Sequence, residues 1–260
     1  MKVRIISAII GLIIIIPIIL LGGYVFSATI CLIAAIAYKE LLDLKKSHQE
    51  YPMTIAFLGF FCMISIVLSN YVDAFLLDGI SYKIITMLFL FLVLPIIFFK
   101  KDKYMSKDAF YLVGISLLLG IIFNIFIIIR TNSLYLFLYL LIVPMVTDIF
   151  AMFTGNYLGK NKMCPTLSPK KTWEGSLGGL IGGSVIGLIF YAVFIGNLTV
   201  KIIFMTILLS IIGQMGDLVM SKIKRENEIK DFSNLIPGHG GILDRIDSVI
   251  FVFLAYMFLL

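Results

Sequence analysis

Four aspartates and two polar loops carry the chemistry this sequence can offer. Asp148 and Asp217 each lie inside an otherwise apolar run, close to its polar end. Asp244 and Asp247 open the last apolar run at a spacing of i, i+3, which projects both from one side of a helix. A charge at the centre of a bilayer costs at least about 2.5–3.5 kcal/mol on insertion scales, so an intramembrane acid is first read as functional. Near the interface that cost falls, and one such acid alone could equally pair with a loop lysine. Two of them on the same membrane face as Asp244 and Asp247 favour function, because carboxylates at one depth repel each other and a divalent cation relieves the repulsion. Carboxylate oxygens suit magnesium, with manganese as a substitute, and magnesium is usually held by a few carboxylates together with substrate phosphates. Every other acid is expected in a loop or at a helix end.

The loops supply the opposite charge. The first, 155–174, reads GNYLGKNKMCPTLSPKKTWE, and the second, 221–247, reads SKIKRENEIKDFSNLIPGHGGILDRID. In Ser168-Pro169-Lys170-Lys171 the serine suits an N-cap and the proline the first helical position, so a helix start is expected there. Its free N–H groups and two lysines would form an anion site, although a basic flank with an ordinary cap reads the same way. Lys224, Arg225 and Lys230 could bind phosphates or simply contact lipid head groups. Pro237-Gly238-His239-Gly240-Gly241 can bring backbone close to a ligand, and its amides could cradle a phosphate. Taken alone, His239 would be a turn residue.

These residues must be positioned by membrane helices. Of 260 residues 61% are hydrophobic and 14% charged, against roughly 25% charged in globular proteins, and the mean hydropathy is +1.09. A soluble domain, a disordered chain, collagen and a disulfide scaffold are excluded. The chain has no basic, aromatic-interleaved soluble module, so no nucleic-acid partner is expected. Cys31, Cys62 and Cys164 show no metal-ligand spacing. Apolar runs near 5–21, 22–38, 53–69, 84–99, 109–129, 134–154, 175–195, 202–220 and 242–260 give about nine transmembrane helices, the first read as an uncleaved span. The last needs to begin just after Gly240-Gly241 to be long enough. With the N-terminus inside, 18 of the 21 lysines and arginines fall on the cytoplasmic side and only Lys83, Arg130 and Lys201 outside, which sets the orientation. Both polar loops then face the cytoplasm. Gly175, Gly179, Gly183 and Gly187 form a small-residue face for close helix packing, which could also serve a homodimer, and Trp173 suits an interface anchor. The expected architecture is an all-α polytopic membrane bundle, with N-terminal helices over 1–133 and a catalytic region over 134–260.

At this point a resemblance emerges. Ser221-x-x-Lys224-Arg225, Lys230-Asp231-x-Ser233 and Ile236-Pro237-x-His239-Gly240-Gly241-Ile242-x-Asp244-Arg245-Ile246-Asp247 resemble the motif of the phosphatidate cytidylyltransferases, the CDP-diacylglycerol synthases. The segments Asp148 to Gly155, Gly159-Lys160, Ser168 to Gly175, and Gly216-Asp217-Leu218 also look like that family; Met152 departs from it, standing where the family has tyrosine. The resemblance covers the C-terminal half strongly and the rest only by hydropathy. It implies transfer of CMP from CTP to phosphatidic acid with magnesium, in the cell membrane, at a site facing the cytoplasm. It implies metal coordination by Asp148, Asp217, Asp244 and Asp247, and catalytic roles for Asp217, Asp244, Asp247, Lys224, Arg225 and His239. Ser168, Lys170, Lys171, Ser221, Lys230, Gly240 and Gly241 would bind the substrates. Other CTP-dependent lipid enzymes, a polyprenol kinase or a CDP-archaeol synthase, are the near alternatives. An ion-coupled transporter is the distant one, with Pro95 and Pro144 as candidate helix breaks.

Overall fold

The computed structural model describes residues 2–46, 52–69, 82–99 and 103–260. Residues 1, 47–51, 70–81 and 100–102, with Lys100 and Lys101 of the expected inside set, lie outside them. Among the described residues each expected span coincides with a helix: α1 Lys2–Leu21, α2 Gly23–Lys46, α3 Met53–Val67, α4 Tyr82–Val93, α5 Ser106–Asn132, α6 Leu134–Leu158, α7 Trp173–Phe194, α8 Val200–Glu226 and α9 Leu243–Leu259. Gly23–Leu44 within α2, together with α5, α6, α7 and α8, is long and apolar enough to cross a membrane; Ile9–Leu21, Met53–Val67 and Thr86–Ile97 are shorter apolar helices. Pro95 does end a helix, since α4 passes into a 3-10 turn over Leu94–Ile97. Pro144 breaks nothing and lies within continuous α6.

The chain divides into two compact units, Met1–Thr131 with Phe232–Leu243, and Asn132–Asp231 with Asp244–Leu260. In the first, polar groups stitch the apolar helices together. Tyr38 OH donates to Ala56 O at 3.1 Å, Tyr111 OH to Leu41 O at 2.7 Å and Asn124 to Val67 O at 3.1 Å. Such bonds count between membrane helices, which share no hydrophobic drive to associate. Arg130 donates to the carbonyls of Ile19 and Leu20, satisfying the end of α1. Helix α2 runs eight residues past the expected end of its span, because its buried face continues through Ala34, Ala37, Tyr38, Leu41 and Leu44. Glu40 lies on that face and is 4% exposed. The expectation that the remaining acids occupy loops and helix ends therefore fails at Glu40.

In the second unit α6 and α7 pack backbone to backbone. A Cβ on Gly179 would meet Thr147 O at 2.7 Å, and one on Gly175 would meet Ala151 O at 2.8 Å. The glycine stripe is thus covered by α6 of the same chain. Helix α8 joins this pair through Tyr139–Thr206 (2.7 Å), Thr147–Ser210 (2.8 Å) and Ser176–Gln214 (2.6 Å) hydroxyl and amide contacts. The rings of Phe137 on α6 and Phe253 on α9 meet edge to face at 5.4 Å.

The first polar loop corrects one expectation. No helix begins at Ser168: Ser168–Thr172 is a strand, β2, paired antiparallel with β1, Lys162–Cys164. The helix begins at Trp173, where Thr172 Oγ1 accepts from Gly175 N at 3.1 Å. Glu174 accepts from the Lys160 and Asn161 amides at 3.1–3.2 Å, so the start of the loop closes back on the first turn of α7. Serine and proline can open a helix, but here backbone pairing with Lys162–Cys164 satisfies the same segment as a strand.

Candidate active site

The second unit gathers the intramembrane acids. Helix α8 continues past the expected end of its span, which places Asp217, Ser221 and Lys224 at i, i+4 and i+7 on one face. Lys171 at the end of the hairpin reaches Asp217 Oδ2 with its Nζ at 2.5 Å, both side chains about a quarter exposed (26% and 24%). Ser221 donates to the other oxygen, Oδ1, at 3.4 Å. Lys224 Nζ contacts Asp244 Oδ1 at 2.7 Å, and here the side chains are 10% and 2% exposed. Ser248, one residue beyond Asp247, donates to Asp148 Oδ2 at 3.3 Å. Asp148, Asp217 and Asp247 lie within electrostatic reach of one another, as do Asp247 and Lys224.

This cluster borders open space. A cavity of about 340 Å³ is lined by Asp148, Ala151, Met152, Gly155, Asn156, Lys170, Lys171 and Asp217. A smaller one of about 40 Å³, sharing Asp148, Ala151 and Lys171, reaches Thr172, Ser176 and Gln214. The hairpin explains the lysines: it delivers Lys170 and Lys171 from β2 to the cavity wall, without the helix N-terminus that the sequence suggested. Ser168, Arg225 and Lys230 are not among the lining residues; Arg225 is exposed and donates to Ile229 O at 2.8 Å, and Lys230 is exposed.

His239, Gly240 and Gly241 belong to the first unit. Pro237 and Gly238 (φ 76°) form the centre of a turn closed by His239 N to Ile236 O at 2.9 Å, and Gly240 (φ 81°) returns the chain with Ile236 N donating to its carbonyl at 2.9 Å. Positive φ at both positions requires glycine. His239 Nδ1 is 2.8 Å from Ser7 Oγ, which also donates to Pro237 O. Glu40 accepts from Ile242 N and Leu243 N, each at 2.9 Å. The amides of Ile236, His239, Ile242 and Leu243 are therefore engaged within the unit.

The donors fit magnesium in kind. Among the described residues no three His, Cys, Asp or Glu side chains converge closely enough to hold a metal by themselves. Magnesium does not need such a cage, being held by one or two carboxylates with water and phosphate, and Asp148 and Asp217 offer hard oxygens on a cavity that could admit phosphate, with Asp247 within electrostatic reach of both. Sequence reasoning missed Asn156, Ser176, Gln214, Ser248 and Glu40. The signal for Gln214 was available, since it is a polar residue in an apolar span three positions before Asp217. Glu40 was concealed by ending its span at Tyr38.

The cytidylyltransferase family model matches residues 2–260. A phosphatidate cytidylyltransferase of Staphylococcus haemolyticus is 36% identical over 254 residues, covering 97% of this chain and 96% of its own. One of Staphylococcus aureus is likewise 36% identical over 254 residues. One of Bacillus subtilis is 34% identical over 266 residues, covering 100% of this chain and 97% of its own. The similarity runs from α1 to α9 and is not confined to the two polar loops, so the chain belongs to the cytidylyltransferase family.

Proposed function

We propose that this chain transfers CMP from CTP to phosphatidic acid, releasing pyrophosphate and forming CDP-diacylglycerol for phospholipid synthesis. The observation that carries the reading is the Lys171–Asp217 pair beside Asp148 on a cavity of about 340 Å³, with Asp247 within electrostatic reach, in a chain of this family. An oxygen of the lipid phosphate attacks the α-phosphorus of CTP, the bond to the bridging α–β oxygen breaks, and pyrophosphate leaves. The nucleophile is already anionic, so no strong general base is required. The obstacle is repulsion between two polyanions, and positioning with charge neutralisation overcomes it. Lys170 and Lys171 on the cavity wall neutralise phosphate oxygens, Lys171 exchanging its contact with Asp217 for one with substrate. Lys224 keeps Asp244 paired at the start of α9, one turn before Asp247. Arg225, Lys230, Ser168 and Ser221 add binding groups for the substrates. Magnesium, with manganese as a substitute, would be held by Asp148, Asp217, Asp244 and Asp247, directly or through water, and would supply further charge neutralisation at the phosphates.

The same reading takes the nine helices as membrane spans, the N-terminus and both polar loops as cytoplasmic, and the cell membrane as the location. Its support is the distribution of lysine and arginine. A homodimer would use lipid-facing helix surfaces, because the glycine stripe packs on α6. The test is CTP carrying label on the α- or the γ-phosphate, supplied to the detergent-solubilised protein with phosphatidic acid, with and without magnesium. Label enters the lipid from the α position only, and only with magnesium. Transfer of γ label would identify a kinase, and absence of any transfer would overturn the reading.

A further inference from the structure

Glu40 is a buried acid outside every polar motif of the sequence. It sits on α2 at 4% exposure, with Ala37 and Tyr38 (0% and 2%) beside it on the same face. Its carboxylate is saturated by one short segment. Ser233 Oγ donates to Oε1 at 2.7 Å, Ile242 N to Oε1 at 2.9 Å and Leu243 N to Oε2 at 2.9 Å. The Leu243 amide is the first of α9 and the Ile242 amide immediately precedes it, so the carboxylate caps a helix just over 200 residues away in the chain (separations of 202 and 203). An anion at that position also complements the positive end of the helix dipole, and hydrogen bonds to a charged acceptor are about twice as strong as neutral ones. Gly241 provides the space: a Cβ there would run into Glu40 Oε1 and meet Ser233 Oγ at 2.8 Å. The second glycine of the pair therefore has a steric reason unconnected with any ligand, since its φ is not among the positive values.

We propose that Glu40 is a positioning residue for the transfer reaction: it pins the Ser233–Leu243 segment and sets the backbone that leads directly into Asp244. Leu243 is bonded to Asp244, and Asp247 follows one turn later, so an error at the two capped amides passes along the helix to both acids. Ser7 holds the other part of the same segment through His239 and Pro237 O. The N-terminal helices thus contribute defined contacts to the segment that leads into Asp244. The kinetic part of this inference rests on the proposed CMP transfer; the anchoring part does not.

The experiment uses the full chain in detergent with Glu40→Gln and Gly241→Ala. Glutamine keeps the size but presents an NH2 group to a donor, and alanine displaces the carboxylate while Glu40 itself is unchanged. Hydrogen–deuterium exchange of the 232–243 peptide should rise at least about tenfold in both variants, while exchange in α6 stays unchanged. Per mole of folded protein, kcat should fall by about tenfold to a hundredfold, the scale expected for a misplacement near 1 Å, with KM for phosphatidic acid within about twofold. Unchanged exchange in either variant would overturn the anchor. Faster exchange with unchanged kcat would overturn the positioning role. If the wild-type protein transfers no CMP, the proposed function fails and the exchange measurement still decides the anchor. Should neither variant fold, Ser233→Ala removes one of the three bonds and should speed exchange several-fold, with Ser233→Thr restoring it; no difference between them would overturn the proposal.

Discussion

Deleting the charge of Lys224 gives a measurable test of how the acids are accommodated. Lys224 Nζ lies 2.7 Å from Asp244 Oδ1, with the two side chains 10% and 2% exposed, so water reaches neither charge freely. Lys224→Met preserves the length and apolar stem of the side chain, which keeps the packing and takes the ammonium away from a buried carboxylate. Breaking a buried pair in this way costs about 3–5 kcal/mol, whereas an exposed pair contributes about 0.2–1 kcal/mol. At roughly 2–4 °C per kcal/mol for a chain near this size, the thermal midpoint should fall by roughly 6–20 °C. The assay is far-ultraviolet circular dichroism on the purified protein in detergent, at one scan rate and without magnesium. Lys224→Met combined with Asp244→Leu removes both charges and should recover most of the loss, because buried pairs are often replaced by apolar groups at little cost. A single variant within about 1 kcal/mol of wild type, the exposed-pair limit, would refute the reasoning. So would a double variant as unstable as the single one.

Three other outcomes follow from the same geometry. Lys171→Ala breaks a pair whose side chains are 26% and 24% exposed; stability should change by less than about 1 kcal/mol, while CMP transfer falls by about 10²-fold or more, as for loss of one charge-stabilising group. Asp247→Asn should raise the magnesium concentration for half-maximal activity by about tenfold or more, and a chelator should abolish activity of the wild type; an unchanged magnesium curve would remove Asp247 from the metal assignment. Gly179→Ala places a Cβ 2.7 Å from Thr147 O on α6, which should cost about 1–3 kcal/mol by overpacking, read from the same melting experiment.

Legibility differed by the range of the interaction involved. Helices could be read where apolar residues run together, and the late start of α9 followed from the length a span requires. The ends were harder. Helix α8 extends through Glu226 because Lys224 and Met220 remain buried on its inner face, and α2 extends for a similar reason. The Ser168–Lys171 segment satisfies the local rule for a helix start, yet it pairs as a strand with Lys162–Cys164. Asp217 was identifiable as a misplaced charge, but its partner Lys171 lies 46 positions earlier on another element. Gln214, bonded to Ser176 across 38 positions, presented the same difficulty.

Sequence alone determined which segments are apolar enough for a membrane, where along the chain the basic residues collect, and which aspartates interrupt the apolar runs. Those properties add up along consecutive residues, since the free energy of placing a helix in lipid is a sum over its own side chains. Only the tertiary structure decided which lysine meets which aspartate, that the glycine stripe is covered by α6, and that Glu40 is spent on the amides of Ile242 and Leu243. These depend on contacts between residues 20 to 203 positions apart. A buried charge must find a partner somewhere, and the chain sequence states that need without naming the partner.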